Sequence, residues 1–216
     1  MIYNLTALSI FDAYKIGHID QMPNGVGFIS SNFTPRFDKH FPAKDSKFYD
    51  GKVVVAGTRS LAHFLYVLFK ETFFDVPLER VLEEFVDLVE PFVTGEVETK
   101  HIVDLHRLGY LPIEIKALPE GSVVNTGVAT ITIMNTVEGF GWLVGMLEDA
   151  ISNESWKVCT NATIARVYRK MLEAYAEISG VDKAFVDVQG HDFSLRGLGG
   201  MGDGAVSGQG HQMYFL

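Results

Sequence analysis

One cysteine, Cys159, is all that 216 residues carry. A single thiol can neither close an intrachain disulfide nor build a multi-cysteine metal site, and it fits a reducing compartment. Basic residues are also in short supply: 18 Lys plus Arg stand against 27 Asp plus Glu, a net charge of -9. A field of that sign repels nucleic acid and anionic membranes, so an anionic ligand has to be held by local arginines, lysines or helix N-termini. No window approaches the roughly 18 consecutive apolar residues that a membrane span needs. Residues 1–12 have no basic region followed by an apolar core, so no secretory leader is visible. What is there, with 47% hydrophobic residues, reads as a soluble globular chain long enough for one large domain or two small ones.

Residues 4–17 predict a short helix or turn and residues 26–34 a partly buried strand. The polar, proline-bearing stretch 35–50 predicts a loop, and Val53-Val54-Val55 a short buried strand ending at Gly57. Helical spacing follows over 58–74, with Thr58 or Ser60 available as N-cap. A second helix is set by Val76-Pro77 and stopped by Pro91, and a third runs over 95–108 to Gly109. From residue 111 the period changes to two. Residues 112–117 and 129–134 alternate, with turn chemistry at Pro119-Glu120-Gly121 and Asn125-Thr126-Gly127, which predicts a small antiparallel β element. Helices are then expected over 140–151 and 161–178, the second capped by Gly180, and a strand over 184–188. The order implies an α/β protein with an α+β amino-terminal domain, 1–140, followed by the start of an α/β region, 141–216.

The unusual chemistry collects in residues 186–216. There His191-Asp192-Phe193-Ser194-Leu195-Arg196 precedes glycines at 197, 199, 200, 202, 204, 208 and 210. Gly197 to Gly202 formally matches G-x-G-x-x-G, but Arg196 and other residues separate it from the expected strand, and the chain ends before the acid a dinucleotide fingerprint needs about 20 residues on, so the fingerprint's conditions are not met. Gly204, Ala205, Ser207 and Gly208 predict a small-residue helix face packed closely on a sheet. His191 and Asp192 lack a third ligand at sensible spacing for a metal, and Ser194 or Ser207 lacks a nucleophile-elbow context. Phe193 is either a platform on which a planar heterocycle stacks, with Arg196 holding a polar substituent or phosphate, or a core aromatic beside a solvated arginine. Tyr14 with Lys15, and Arg36 in its polar loop, are a further aromatic–cation set or ordinary surface residues.

Four separated motifs carry a resemblance: Asp12-Ala13-Tyr14-Lys15 with His18, Leu111-Pro112-Ile113-Glu114-Ile115-Lys116-Ala117-Leu118-Pro119-Glu120-Gly121, Thr160-Asn161, and His191-Asp192-Phe193 with Arg196-Gly197. In this order the chain resembles the nicotinamide phosphoribosyltransferases, close kin of the nicotinate enzymes. The resemblance implies a type II phosphoribosyltransferase: an α/β barrel, incomplete here, with an added α+β domain, in a cytoplasmic head-to-tail homodimer with shared sites. It implies joining of nicotinamide to phosphoribosyl pyrophosphate, with Mg accompanying that substrate and no tightly bound cofactor, and no nucleic-acid or membrane partner. Phe193 would stack one face of the pyridine ring, Tyr14 of the partner subunit would cover the other, and Arg196, with Asp192 beside it, would lie at the amide and phosphoribosyl side. Arg36, with Lys15, would help hold pyrophosphate across the dimer. The family continues past the position of Leu216 with a Gly-Thr-Asp motif, a catalytic-site His and the ribose and phosphate loops, so the catalytic residues are expected beyond Leu216. Nicotinamide against nicotinate preference is left open by the same comparison. A second reading, that the chain is an inactive binding or oligomerisation partner of a full-length homologue, stands beside the first.

Overall fold

Glycine, proline and the change of hydrophobic period set the element boundaries, and a computed structural model of the chain shows where each takes effect over the residues it describes, 5–216. Asn4, at the start of the first expected element, lies outside them. The chain folds as two units that alternate along the sequence. One takes Met1–Asn32, Arg59–Lys116 and Thr132–Ile151, the other Phe33–Thr58, Ala117–Ile131 and Ser152–Leu216.

In the first unit a 3-10 turn, Ala13–His18, stands where a short helix or turn is expected. Helix α1 (Thr58–Phe69) runs into a π turn, Lys70–Phe74, and α2 (Leu78–Val89) begins directly after Pro77. Pro91 lies in the 3-10 turn Glu90–Phe92 that ends α2, because its ring cannot continue the i→i−4 ladder. Helix α3 (Lys100–Leu108) stops at Gly109, whose φ of 79° suits only a residue without Cβ and lets its N–H reach the last carbonyls. Leu61, Leu65, Phe73, Phe85, Ile102 and Leu105 supply the buried stripes.

Strand β1 is Ser30–Phe33, shorter than the 26–34 pattern, and β2 is Lys52–Val54. Strands β3 (Ile113–Ala117), β4 (Val123–Asn125) and β5 (Ile131–Asn135) follow. The three-stranded sheet has the order β1-β5-β3. In β5, Ile131, Ile133 and Asn135 are buried while Thr132 and Met134 are not, the alternation expected of a strand with one covered face. Asn135 is a buried amide that leaves nothing unsatisfied. Its Oδ1 accepts from Ile29 N–H at 2.7 Å, and its Nδ2 donates to the carbonyls of Gly27 and Val137.

In the second unit β2 pairs antiparallel with β4, Val54 facing Val123. Strand β4 falls between two turn signals where the sequence predicts only turns, since three residues are too few to show a period. The Glu120 carboxylate accepts both Gly57 N–H and the Thr58 hydroxyl, so an acid 62 residues from Thr58 sits at the start of α1.

The carboxy-terminal half departs furthest from expectation. The two helices expected over 140–151 and 161–178 are divided elsewhere: α4 is only Trp142–Met146, and α5 runs unbroken from Glu148 to Ser179. The hydroxyl-rich stretch around residue 160 stays helical because Thr160 and Thr163 donate to the carbonyls of Trp156 and Cys159, one turn back. The strand expected over 184–188 is instead a 3-10 helix, Lys183–Val188. Asp182 caps it by accepting Ala184 N–H, no neighbouring strand pairs with it among the described residues, and only Val186 is buried.

Helix α6 (Met201–His211) carries the late glycines. Its buried face is Gly204, Ser207 and Gly210 and it rests on helix α5, not on a sheet as the sequence predicts. A Cβ on Gly210 would come within 2.5 Å of the Val158 carbonyl oxygen and 2.9 Å of Ala162 N. Backbone meets backbone there, as only glycine permits. Below this contact Val54, Ala56, Val158, Cys159 and Ala162 form one apolar cluster, and Ala165, Ala176, Val186 and Phe215 a second. Among the described residues no helix is long and apolar enough to cross a membrane.

The α5–α6 contact generates a direct test. Gly210→Ala forces a methyl group into main-chain atoms that cannot swing aside, so urea unfolding should show a loss of about 1–3 kcal/mol. The exposed Gly202→Ala, which meets nothing within 4 Å, should be neutral or slightly stabilising.

Candidate functional site

The loop 190–196 is fixed from below by what α6 places against it. Leu195 packs on Gly204, where a Cβ would come within 2.6 Å of Leu195 Cδ2. Asp192 Oδ1 accepts the Ser194 N–H at 2.9 Å and the Ser194 hydroxyl. Since Ser194 donates to Asp192, the Ser207 hydroxyl donates to Ser194, and Ser207 in turn accepts from Asn161 Nδ2 on α5. A directed chain of hydrogen bonds thus runs from α5 through α6 to the loop. At the other end of the loop Gly190 lies against the Phe215 ring, and its carbonyl is within 3.2 Å of His211 Nε2.

On this anchored backbone Phe193 stands 62% exposed, which removes the core-aromatic alternative. The Arg196 guanidinium carbon lies 5.0 Å from its ring centroid, a cation–π distance. Asp192, Phe193 and Arg196 are therefore brought together on one loop, with the apolar ring face and the charge turned to solvent. Ser194 and Ser207, weighed from sequence as nucleophiles, are members of the hydrogen-bond chain. The Asn161–Ser207 link, formed across 46 residues, had no signal in the sequence beyond the Thr160-Asn161 motif.

Arg36 belongs to the same unit and is exposed in the loop after β1. Near that loop's end, Asp50 takes both guanidinium nitrogens of Arg166 at 2.8 and 2.7 Å and Lys170 at 2.9 Å. The Arg166 hydrogen bonds hold the Asp50 carboxyl far below the usual carboxylate range. Arg169 is likewise committed to Glu173 and Asp187. Arg36 and Arg196 take no part in these pairs.

Tyr14 and Lys15 lie in the first unit. Tyr14 is 65% exposed, its ring edge-on to His18 at 5.4 Å. Lys15 points the other way. It is 2% exposed, and its Nζ donates to the Gly145 carbonyl at 2.8 Å and to Glu148 at 2.9 Å, with Asp149 at 3.4 Å. Burial disfavours its charge, but the Glu148 hydrogen bond and the two carboxylates outweigh it and leave the ammonium harder to deprotonate than usual. Lys15 therefore ties the 3-10 turn to the start of α5. The single thiol, Cys159, is buried against the Ala56 carbonyl, and burial pushes it up to about 11, far from a nucleophile's range. No three His, Cys, Asp or Glu side chains among the described residues stand together as a metal site.

No protein-family profile matches the chain. It is 40% identical over 218 residues, all of its length, to a nicotinamide phosphoribosyltransferase of Acinetobacter baylyi, of which it covers 43%. A protein of the same name from Xanthomonas campestris pv. campestris is 33% identical over 129 residues, 59% of this chain and 26% of that protein. The chain thus spans less than half the length of these curated relatives. A crystal structure of human nicotinic acid phosphoribosyltransferase superposes with a TM-score of 0.59 at 18% identity, over 91% of this chain and 33% of that one. At that identity the likeness speaks for the fold alone, a mixed helix-and-sheet arrangement.

Two measurements check the site's construction. Lys15→Met should lower unfolding stability by about 2 kcal/mol by stripping a buried carbonyl and two carboxylates of their partner, whereas Phe193→Ala, at an exposed position, should leave the midpoint unchanged. Cys159 should react with a disulfide reagent at pH 8 only as fast as the chain unfolds, and at ordinary thiol rates in denaturant; the folded thiolate population should grow only as pH rises toward 11.

Proposed function

We propose, from the premise that this chain is a relative along its whole length of the nicotinamide phosphoribosyltransferases, that it carries part of the pyridine-binding site of a pentosyltransferase of NAD salvage. The observation that carries the reading is the Phe193–Arg196 pair, an exposed ring with a guanidinium over it on a loop fastened from both sides. A flat, neutral heterocycle gains from such a face by dispersion and offset stacking, while Arg196 offers charged donors to the carboxamide oxygen and to an incoming phosphoribosyl group. In the assembled enzyme Tyr14 of the partner subunit closes the second face in a homodimer. Arg36, on an exposed loop in an acidic chain, would meet pyrophosphate there. Lys15 reaches such a ligand only by giving up Glu148 and Gly145, so its part is to hold the turn that presents Tyr14.

In the reaction proposed for the longer protein the nicotinamide ring nitrogen forms a bond to the ribose C1 as the C1–O bond to pyrophosphate breaks, the bonding pair leaving with pyrophosphate. Charge develops on an oxocarbenium-like sugar and on the leaving group, so orientation of the ring and donors to the pyrophosphate do most of the work. Magnesium belongs to this scheme as part of the phosphoribosyl pyrophosphate substrate. Helices α5 and α6 would begin the α/β barrel of the type II enzymes, with the 3-10 helix Lys183–Val188 standing where a first strand was expected.

The test is a ligand-observed NMR titration of the 216-residue chain with nicotinamide, repeated on Phe193→Ala, together with an assay for nicotinamide mononucleotide. Phe193→Ala should weaken ring binding about fivefold. Product should appear only when a polypeptide matching the remaining length of the Acinetobacter relative is supplied. Turnover by the isolated chain would overturn the need for the remaining length, and ring binding indifferent to Phe193 would sink the reading of the pyridine site.

A further inference from the structure

A cavity in the second unit is lined by none of the residues of the loop 190–196. It measures about 160 Å³ and is walled by Phe37, Phe41, Tyr49 and Trp156, with Asp38 the charged group on its wall among the described residues. An apolar cavity of about 150 Å³ takes a benzene-sized ring, so the space suits one six-membered ring with a small substituent. Phe41 and Tyr49 form one corner, their centroids 4.7 Å apart and their planes tilted by 37°. Phe37 and Trp156 stand exposed at the rim.

The hydroxyl and thiol groups of the helical wall are already committed. The Thr160 and Thr163 hydroxyls donate to carbonyls within α5, and Cys159 Sγ faces the Ala56 carbonyl. The side chain left to act on an occupant is Asp38. It accepts the Tyr49 hydroxyl, and that bond together with burial, the larger cause, keeps the phenol un-ionised, pushed up to about 12. A carboxylate has lone pairs to spare after one such bond. Two of the aromatic walls already attract ammonium groups from the chain itself: Lys39 Nζ lies 5.0 Å from the Phe37 centroid, and Lys157 Nζ 5.4 Å from that of Trp156. Aromatic faces and one carboxylate, with no cationic side chain on the wall among the described residues, fit a positive charge spread over a flat ring. They fit poorly a carboxylate, a phosphate or a sugar.

We propose that this cavity binds a flat organic cation of the N-alkylated pyridinium class, its ring between Tyr49 and Trp156 and its charge against Asp38. The proposal does not rest on the phosphoribosyltransferase reading, since none of its residues belongs to the Phe193–Arg196 loop. The charge contributes through cation–π attraction to the walls and through its proximity to a half-buried carboxylate, where water screens less than at the open surface.

The probe is N-methylpyridinium, with pyridine at pH 8 as its neutral counterpart, read by quenching of Trp156 fluorescence and confirmed by ligand-observed NMR. N-methylpyridinium should quench saturably and bind at least about tenfold more tightly than pyridine, and Asp38→Asn should erase about tenfold of that affinity while leaving pyridine unchanged. Phe193→Ala should not alter it, which keeps this site's outcome separate from that of the nicotinamide site. Linear, unsaturable quenching, equal affinities for the two probes, or an unaffected Asp38→Asn variant would overturn the proposal. If Asp38→Asn loses its far-UV circular dichroism, Tyr49→Phe decides: it frees the carboxylate from its hydroxyl donor and should bind the cation as tightly or more tightly, and a weakened affinity would overturn the proposal.

Discussion

The close approach of α6 to α5 at Gly210 is the constraint from which the second unit's surface chemistry follows. Two helices whose backbones nearly touch leave no room for side chains between them, so the contact face is Gly204, Ser207 and Gly210. That closeness brings the Ser207 hydroxyl within reach of Asn161 on one side and Ser194 on the other. It also leaves Leu195 a bare backbone to pack on. The loop bearing Asp192, Phe193 and Arg196 is therefore held by its small and polar members, which frees the aromatic and the arginine to face outward. A bulkier face would push α6 off α5, and the loop would lose both its apolar anchor and its hydrogen-bond chain together.

Charge is arranged by the same economy of space. In a chain with an excess of carboxylates, Lys15, Lys157, Arg166, Arg169 and Lys170 are each held by acids of their own unit. These pairs fasten turns and helix ends, the 3-10 turn Ala13–His18 and the loop around Asp50 among them. Two arginines outside these pairs, Arg36 and Arg196, are exposed, Arg196 over a phenyl face. An acidic surface repels anions at long range, so any site for a phosphorylated substrate has to be built from such local cations, and the proposed pyridine site has that composition. The cavity beside Asp38 has the opposite composition, a carboxylate among aromatic faces, and suits the opposite charge.

Much of the fold was legible because it rests on local rules. Pro77, Pro91 and Gly109 mark α2 and α3 since ring closure and positive φ act within a residue or two. The period-two runs mark β3 and β5 because burial alternates along a half-covered strand. Where the sequence misled, a partner distant in the chain had the deciding effect. Residues 184–188 have a strand's composition, but Asp182 caps them as a turn and, among the described residues, no neighbouring strand stands beside them. Residues 152–160 separate the two helices the sequence predicts, yet the Thr160 hydroxyl is satisfied one turn back and Val158 and Cys159 are buried beneath α6. Lys15 reads as a surface cation until Glu148 and Gly145 fold over it.

The sequence by itself determined the class of the chain, the positions of most helix and strand boundaries, and the clustering of an aromatic, an acid and an arginine within residues 191–196. Those depend on composition, on periodicity and on neighbours a few residues apart. The tertiary structure alone decided which cations are committed to carboxylates, that Phe193 is exposed instead of buried, and that Gly210 is a backbone contact between α5 and α6. Each of these turns on atoms dozens of residues apart being brought within hydrogen-bond or van der Waals distance, and a pattern read along one dimension carries no measure of that distance.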